Sequence, residues 1–271
     1  MPNSHILYEN APLIEVLAEI KWHILPLESM PGMAIDPHFS AFSDDFKKEI
    51  GNSGFSSVEK IVSERIPLEF MPFKVIFQFR EKPKQWPLFQ IGPGLLTANT
   101  IPPYEGWYCF KNLIYKGLLS LYKAYPYPER YLRISSIELR YIDGFTRDHG
   151  YEKYRHFIRE NLGIESTIPK KIVEIYVPSP EDIMISQEIM MNLKTPESSN
   201  GFIKISPGKK ENNEAVFSEL IIRKETKLEQ SNPGSLLAWF DQAHAVLRDW
   251  FEIMTSDQLK KNMKPFTRNV R

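Results

Sequence analysis

Leu13-Ile14-Glu15-Val16-Leu17-Ala18-Glu19-Ile20-Lys21-Trp22-His23 is the stretch on which the fold turns. Ile14, Val16, Ala18, Ile20 and Trp22 fall on one side, with Glu15, Glu19 and Lys21 on the other. A period of two predicts a strand with one covered face. The pattern returns at Ile137-Glu138-Leu139-Arg140-Tyr141, which echoes Ala18-Glu19-Ile20-Lys21-Trp22 position by position.

The segments after each strand also echo one another. Asp36-Pro37 predicts a helix cap with proline at the first helical position, and Gly51 predicts the stop. Between them Phe39, Phe42, Phe46 and Ile50 recur at helical spacing. In the second half a helix is expected from about Tyr151 to Leu162, with Tyr154, Ile158 and Gly163 answering Phe42, Phe46 and Gly51. Strand-like segments follow in both halves: 55–100 in the first, and 171–177, 183–193, 202–206 and 215–223 in the second. Gly92-Pro93-Gly94 fits a type II reversal, and Ile203-Lys204-Ile205-Ser206-Pro207-Gly208 echoes Phe89-Gln90-Ile91-Gly92-Pro93-Gly94. Each half ends on an apolar helical stripe, from Trp107 to Leu121 and from Leu236 to Trp250. Tyr125-Pro126-Tyr127-Pro128 is the most linker-like spot. The expected fold is therefore α+β, with similar halves at 1–128 and 129–271 packed as one unit. Each would be an antiparallel sheet with helices on one face, the two related by a pseudo-two-fold axis.

Composition narrows the functional classes. With 42% hydrophobic and 25% charged residues the chain is an ordinary globular one. Its 34 basic and 34 acidic side chains cancel, which disfavours a broad phosphate-binding surface. The single cysteine, Cys109, cannot form an internal disulfide, and Met1-Pro2-Asn3-Ser4-His5 does not open a secretory signal. No apolar run reaches the length of a membrane span, so a cytoplasmic location without membrane attachment is the expectation.

Asn10-Ala11-Pro12-Leu13-Ile14-Glu15-Val16, the run from Phe89 to Asn99 and Tyr104-Glu105-Gly106-Trp107 together carry a resemblance. They resemble segments of a sporadically distributed family of uncharacterised prokaryotic proteins of about this length, as does Thr255-Ser256-Asp257-Gln258-Leu259 before Lys264-Pro265. The family's patchy occurrence implies an accessory role at defence or toxin–antitoxin loci. It implies no catalytic residues.

Motifs with chemical meaning are sparse. Gly92-Pro93-Gly94 lacks the Gly-Lys-Ser/Thr ending of a phosphate loop, and no Gly-x-Ser-x-Gly elbow occurs. The six histidines include no i, i+4 pair for zinc and are expected at the surface or at boundaries. Cys109, beside Trp107 and Phe110, is expected to be a buried, inert thiol. Glu15, Glu19 and Lys21 resemble part of a nuclease site but lack the aspartate from a preceding strand. Neither a metal nor a cofactor is expected. The basic tail from Lys260 to Arg271 is expected to be a solvated terminus, and the loop 206–214 an exposed hairpin tip.

The leading expectation is a non-enzymatic protein that binds a protein partner through the open sheet face or its loops, with homodimerisation as a further option. Two alternatives stand beside it. One is a small-ligand or enzymatic domain with a pocket between the sheet and a long helix. The other is a nucleic-acid-binding saddle. Candidate binding residues are Gln90, Asn99, Tyr104 and Trp107 in the resembling segments, and Glu19, Lys21, Glu138 and Arg140 on the face away from the helices.

Overall fold

The computed structural model describes residues 4–27, 33–63, 67, 71–179, 183–226 and 231–269. Thirteen strands and seven α-helices alternate along them. The chain opens with β1 (Ser4–Tyr8), β2 (Leu13–Trp22), β3 (Leu25–Pro26), β4 (Ala34–Ile35), α1 (Phe39–Asn52) and β5 (Ser57–Lys60). It continues with β6 (Phe77–Arg80), β7 (Leu88–Gly92), β8 (Leu95–Thr100), α2 (Trp107–Ala124), α3 (Pro128–Tyr131) and β9 (Ile134–Phe145). Next are α4 (Tyr154–Leu162), α5 (Lys170–Tyr176), β10 (Gln187–Asn192), β11 (Asn200–Lys210) and β12 (Asn213–Glu225). The last elements are α6 (Pro233–Met254), α7 (Asp257–Met263) and β13 (Pro265–Asn269).

The fold is α+β, built on one nine-stranded antiparallel sheet in the order β10-β11-β12-β9-β2-β8-β7-β6-β5. The two echoing strands are neighbours at its centre, with Ala18 opposite Leu139 and Ile20 opposite Ile137. Val16, Ala18, Ile20 and Trp22 are sealed on one face, as their alternation requires. Helices α1, α2 and α6 cover that face, and α4 and α7 pack beyond them over Phe145 and Val216. Phe39, Phe42, Phe46 and Ile50 anchor α1 with no exposure. Truncating such a buried ring to alanine costs about 3–5 kcal/mol. Among the described residues no helix is long and apolar enough to cross a membrane.

Local departures from the sequence reading have physical reasons. Helix α1 starts at Phe39 rather than at Pro37, and Gly51 lies inside it; the left-handed residue after its end is Gly54, at φ +102°. The carboxylate of Asp36 turns instead into the core. It accepts from Trp22 Nε1 at 2.9 Å, Tyr125 OH at 3.2 Å, and the amides of His38 and Gly94 at 3.1 and 3.3 Å. The Gly92-Pro93-Gly94 reversal forms as expected, with Gly92 opposite Leu95 and Gly94 at φ +77°. Its echo does not: Pro207-Gly208 runs straight through β11, and the chain reverses at Glu211-Asn212, both left-handed. Gly208 serves packing there, since a Cβ would meet the Phe217 ring at 2.6 Å.

The expected strand at 171–177 is instead helix α5 (Lys170–Tyr176) followed by the extended Val177; Ile172 and Ile175 sit one helical turn apart, and among the described residues no strand is hydrogen-bonded to them. The basic tail is not a free terminus either. Leu259 and Met263 of α7 are sealed in the second core cluster, and β13 pairs with β1 from Ser4↔Asn269 to Tyr8↔Pro265.

Candidate functional site

The candidate site lies where the end of β9, the C-terminal half of α6 and the segment between β1 and β2 converge. Gly144 makes that convergence possible. Its amide donates to Pro12 O at 2.8 Å, and a Cβ at Gly144 would lie 2.6 Å from Ile14 Cδ1. A register shift between Leu13 and Glu15 then sets Leu13 opposite Asp143. Residues 11–13 thereby form a rim over the end of the sheet. Beneath that rim is a cavity of about 590 Å3, with Leu13, Leu220, Leu247 and Phe251 among its apolar walls. Both the volume and the apolar lining are ordinary for a small-molecule site.

Three polar side chains converge on the cavity in a chain. Tyr104 OH lies 3.2 Å from Tyr141 OH, which lies 3.0 Å from His244 Nδ1. The His244 ring stacks on Trp107 at 4.2 Å between centroids, with the planes 6° apart. Trp107 is held in turn, its Nε1 donating to Asp241 Oδ1 at 2.9 Å while Lys111 pairs with Oδ2 at 2.5 Å. Burial pushes the Tyr141 and Tyr104 hydroxyls above their ordinary range, so both remain protonated donors. A second cavity of about 590 Å3 shares the wall made by Pro102, Pro103 and Tyr104.

Asp143 is the feature that sets this site apart. Its side chain lines the first cavity, is 4% exposed and, among the described residues, accepts no hydrogen bond and forms no ion pair. Burial raises its carboxyl to about 7, against a lowering field from Lys210. The other two buried carboxylates among the described residues are both saturated. Asp36 has the four donors described above, and Glu138, 1% exposed, lies between two arginines. Arg140 Nη2 reaches Glu138 Oε1 at 2.6 Å, and Arg223 Nη2 reaches Oε2 at 2.6 Å.

The eight residues singled out from sequence separate onto the two sides of the sheet. Tyr104 and Trp107 belong to the cavity wall and its support. The other six lie on the face away from the helices, within polar networks. Lys21 pairs with Glu19 at 2.5 Å, and Arg140 bridges Glu138 and Glu219. Asn99 Nδ2 donates to Glu15 Oε1 at 2.7 Å. The Thr97 hydroxyl lies 2.6 Å from Asn99 Oδ1 and 3.1 Å from Gln90 Oε1.

Asp143, Tyr141 and His244 escaped the sequence reading. A histidine on the apolar stripe of α6 and an aspartate continuing the covered face of β9 were the available signals. Two residue expectations are corrected. Cys109 is exposed, because it points off the buried stripe of α2 into the wall of the second cavity. His149 is buried rather than at the surface, its Nδ1 accepting from the Thr146 amide at 3.0 Å. Among the described residues no group of three or more His, Cys, Asp or Glu could hold a metal.

No known family model, curated protein or solved structure matches this chain.

Proposed function

We propose that the chain is a small-ligand-binding protein whose site is the cavity between the sheet and α6. One observation carries the reading: a buried carboxylate, Asp143, faces a roomy and mostly apolar space with no hydrogen-bond or ion-pair partner among the described residues. Buried polar groups are costly unless paired, and an unpaired one inside a cavity is explained by a group that arrives with the ligand. The Tyr104–Tyr141–His244 chain supplies further hydrogen-bonding groups of fixed position. An NMR screen of a fragment library tests this. Hits are expected to shift resonances of Tyr141, Leu247 and Phe251. Ala11→Trp, at the exposed rim, should plug the cavity and abolish those shifts. Hits that scatter over the surface, or that ignore Ala11→Trp, would refute the reading.

A second reading, self-association, is favoured by the sheet edge. Among the described residues β10 has no outer neighbour in the sheet, yet it exposes Ile189 and Met190 at 40% and 66%. Edges are normally guarded by charge, proline or a bulge. Two copies joined through β10 would scatter light as a dimer and separate on Met190→Lys; a wild-type monomer at high concentration removes the reading.

A duplication about the central strand pair belongs to the same proposal. Outward from that pair the order is β2-β8-β7-β6-β5 on one flank and β9-β12-β11-β10 on the other. Each flank thus runs from its first strand to its last and back through those before it, with β5 as an extra strand on the first flank, which supports two halves of common origin.

A further inference from the structure

We propose that the ligand of this cavity is an organic cation, a protonated amine on an aromatic or branched alkyl body, held by an ion pair with Asp143. The inference rests on the reading of the cavity as a ligand site. Three arguments favour a cation over the alternatives.

The first is the balance of charge on the walls. Glu9, Asp143 and Glu252 line the cavity against one arginine, Arg248, and one histidine, His244. Arg248 is engaged outward by Asp249 at 3.0 Å, and Glu252 by Lys260 at 3.3 Å and by the Tyr8 hydroxyl at 2.8 Å. An anionic ligand would therefore meet the Asp143 carboxylate, and the one arginine among the described wall residues is already paired.

The second is saturation. A neutral ligand can donate one hydrogen bond, but a primary ammonium donates three and brings a charge. Pairing an isolated carboxylate in a low-dielectric site is where a charge-assisted bond gains most over a neutral one. Among the described residues no side chain takes that position. Lys210, the cation whose field reaches Asp143 from β11, forms no ion pair with it within 4.0 Å.

The third is the surrounding surface. The rings of Tyr104, Tyr141 and Phe251 line the space around Asp143, and aromatic faces attract ammonium groups. Leu13, Leu220 and Leu247 leave an apolar bed for the rest of the molecule. The field of Lys210 acts on Asp143 from β11, and the other titratable or charged groups lining the cavity are Tyr8 on β1, Glu9 after it, Tyr104 before α2, Tyr141 on β9, and His244, Arg248 and Glu252 on α6.

The test uses matched sets of aryl-alkyl amines, their alcohol isosteres and their carboxylate isosteres, titrated calorimetrically into the whole protein at pH 8. Alkylammonium groups remain protonated there. The amine of a set is expected to bind at least about tenfold more tightly than its alcohol, with the carboxylate weakest. In Asp143→Asn the amine should lose that advantage while the alcohol keeps its affinity. Ala11→Trp should weaken every member of the set. Alcohols or carboxylates binding as tightly as amines would overturn the cation assignment and leave the cavity reading standing. Failure of every set to bind would overturn both. An amine advantage that survives Asp143→Asn would overturn the ion pair.

Discussion

Glu138 and Asp143 share strand β9, and each is almost wholly shut off from water. On the side away from the helices, Glu138 is clasped by Arg140 and Arg223, each of its oxygens bonded by one guanidinium. On the helix-covered side Asp143 has a cavity in front of it and no bonding partner among the described residues. Burial alone therefore does not mark a functional residue. What differs is where the partner comes from. Glu138 and Asp36 find theirs within the chain, as structural carboxylates do, whereas Asp143 is arranged for one from outside.

That contrast can be broken at its strongest point first. The double substitution Arg140→Met with Arg223→Met leaves Glu138 sealed without a counter-charge and should lower the unfolding free energy by about 3–5 kcal/mol. Urea denaturation measures it; a loss below about 1 kcal/mol would mean that the clasp is not structural.

Asp143 should behave in the opposite sense. Its carboxyl is raised from the ordinary value to about 7 in the folded protein. Between about pH 4 and pH 7 the unfolded chain therefore binds fewer protons, and stability falls as pH rises. The cost is absent below about pH 4 and complete above pH 7. Asp143→Asn removes it, so the variant should gain stability over the wild type by up to about 4 kcal/mol at pH 8, the two converging near pH 4. Taking the difference between the two proteins cancels the other titrating groups, including His149, whose pKa burial lowers. Equal stability at pH 8 would show that Asp143 has a partner after all.

Asp36 extends the comparison to a third carboxylate. Asp36→Ala strands Trp22 Nε1 and the Tyr125 hydroxyl in the core and should cost about 2–3 kcal/mol, visible also in the near-ultraviolet circular dichroism of Trp22. The smallest effect is expected for Tyr141→Phe. It cuts the link between Tyr104 and His244 but leaves room for water, so it should cost about 1 kcal/mol or less. A loss comparable to that of Asp36→Ala would make the tyrosine chain a structural element instead of a ligand-facing one.

The centre of the sheet was legible because its signal is local. Alternation in 13–22 and 137–141 marks β2 and β9, and like sequences met as neighbours. The Pro93-Gly94 reversal was legible for the same reason, because φ preference acts within the turn. Pro207-Gly208 misled because the same dipeptide continues a strand when a partner, here Phe217 on β12, packs over the glycine. Helix α5 misled because Ile172, Val173 and Ile175 suit a strand by type while, among the described residues, no strand pairs with them.

The candidate site was scarcely legible. Tyr104 and Trp107 were singled out, but Asp143 and His244 come together across the sheet and α6 only through tertiary packing. No spacing along the chain encodes a carboxylate without a partner.

Asp143, in the proposal made above, waits for a cation. The most direct measurement follows the 13C resonance of its side-chain carboxyl through a pH titration, assigned by its loss in Asp143→Asn, with and without a saturating aryl-alkyl amine. The free protein should titrate near pH 7 at this site, and the amine should pull the midpoint down by at least about one unit, because an ion pair favours the charged form. A midpoint near the ordinary carboxyl value of about 4, unmoved by the amine, would contradict the account.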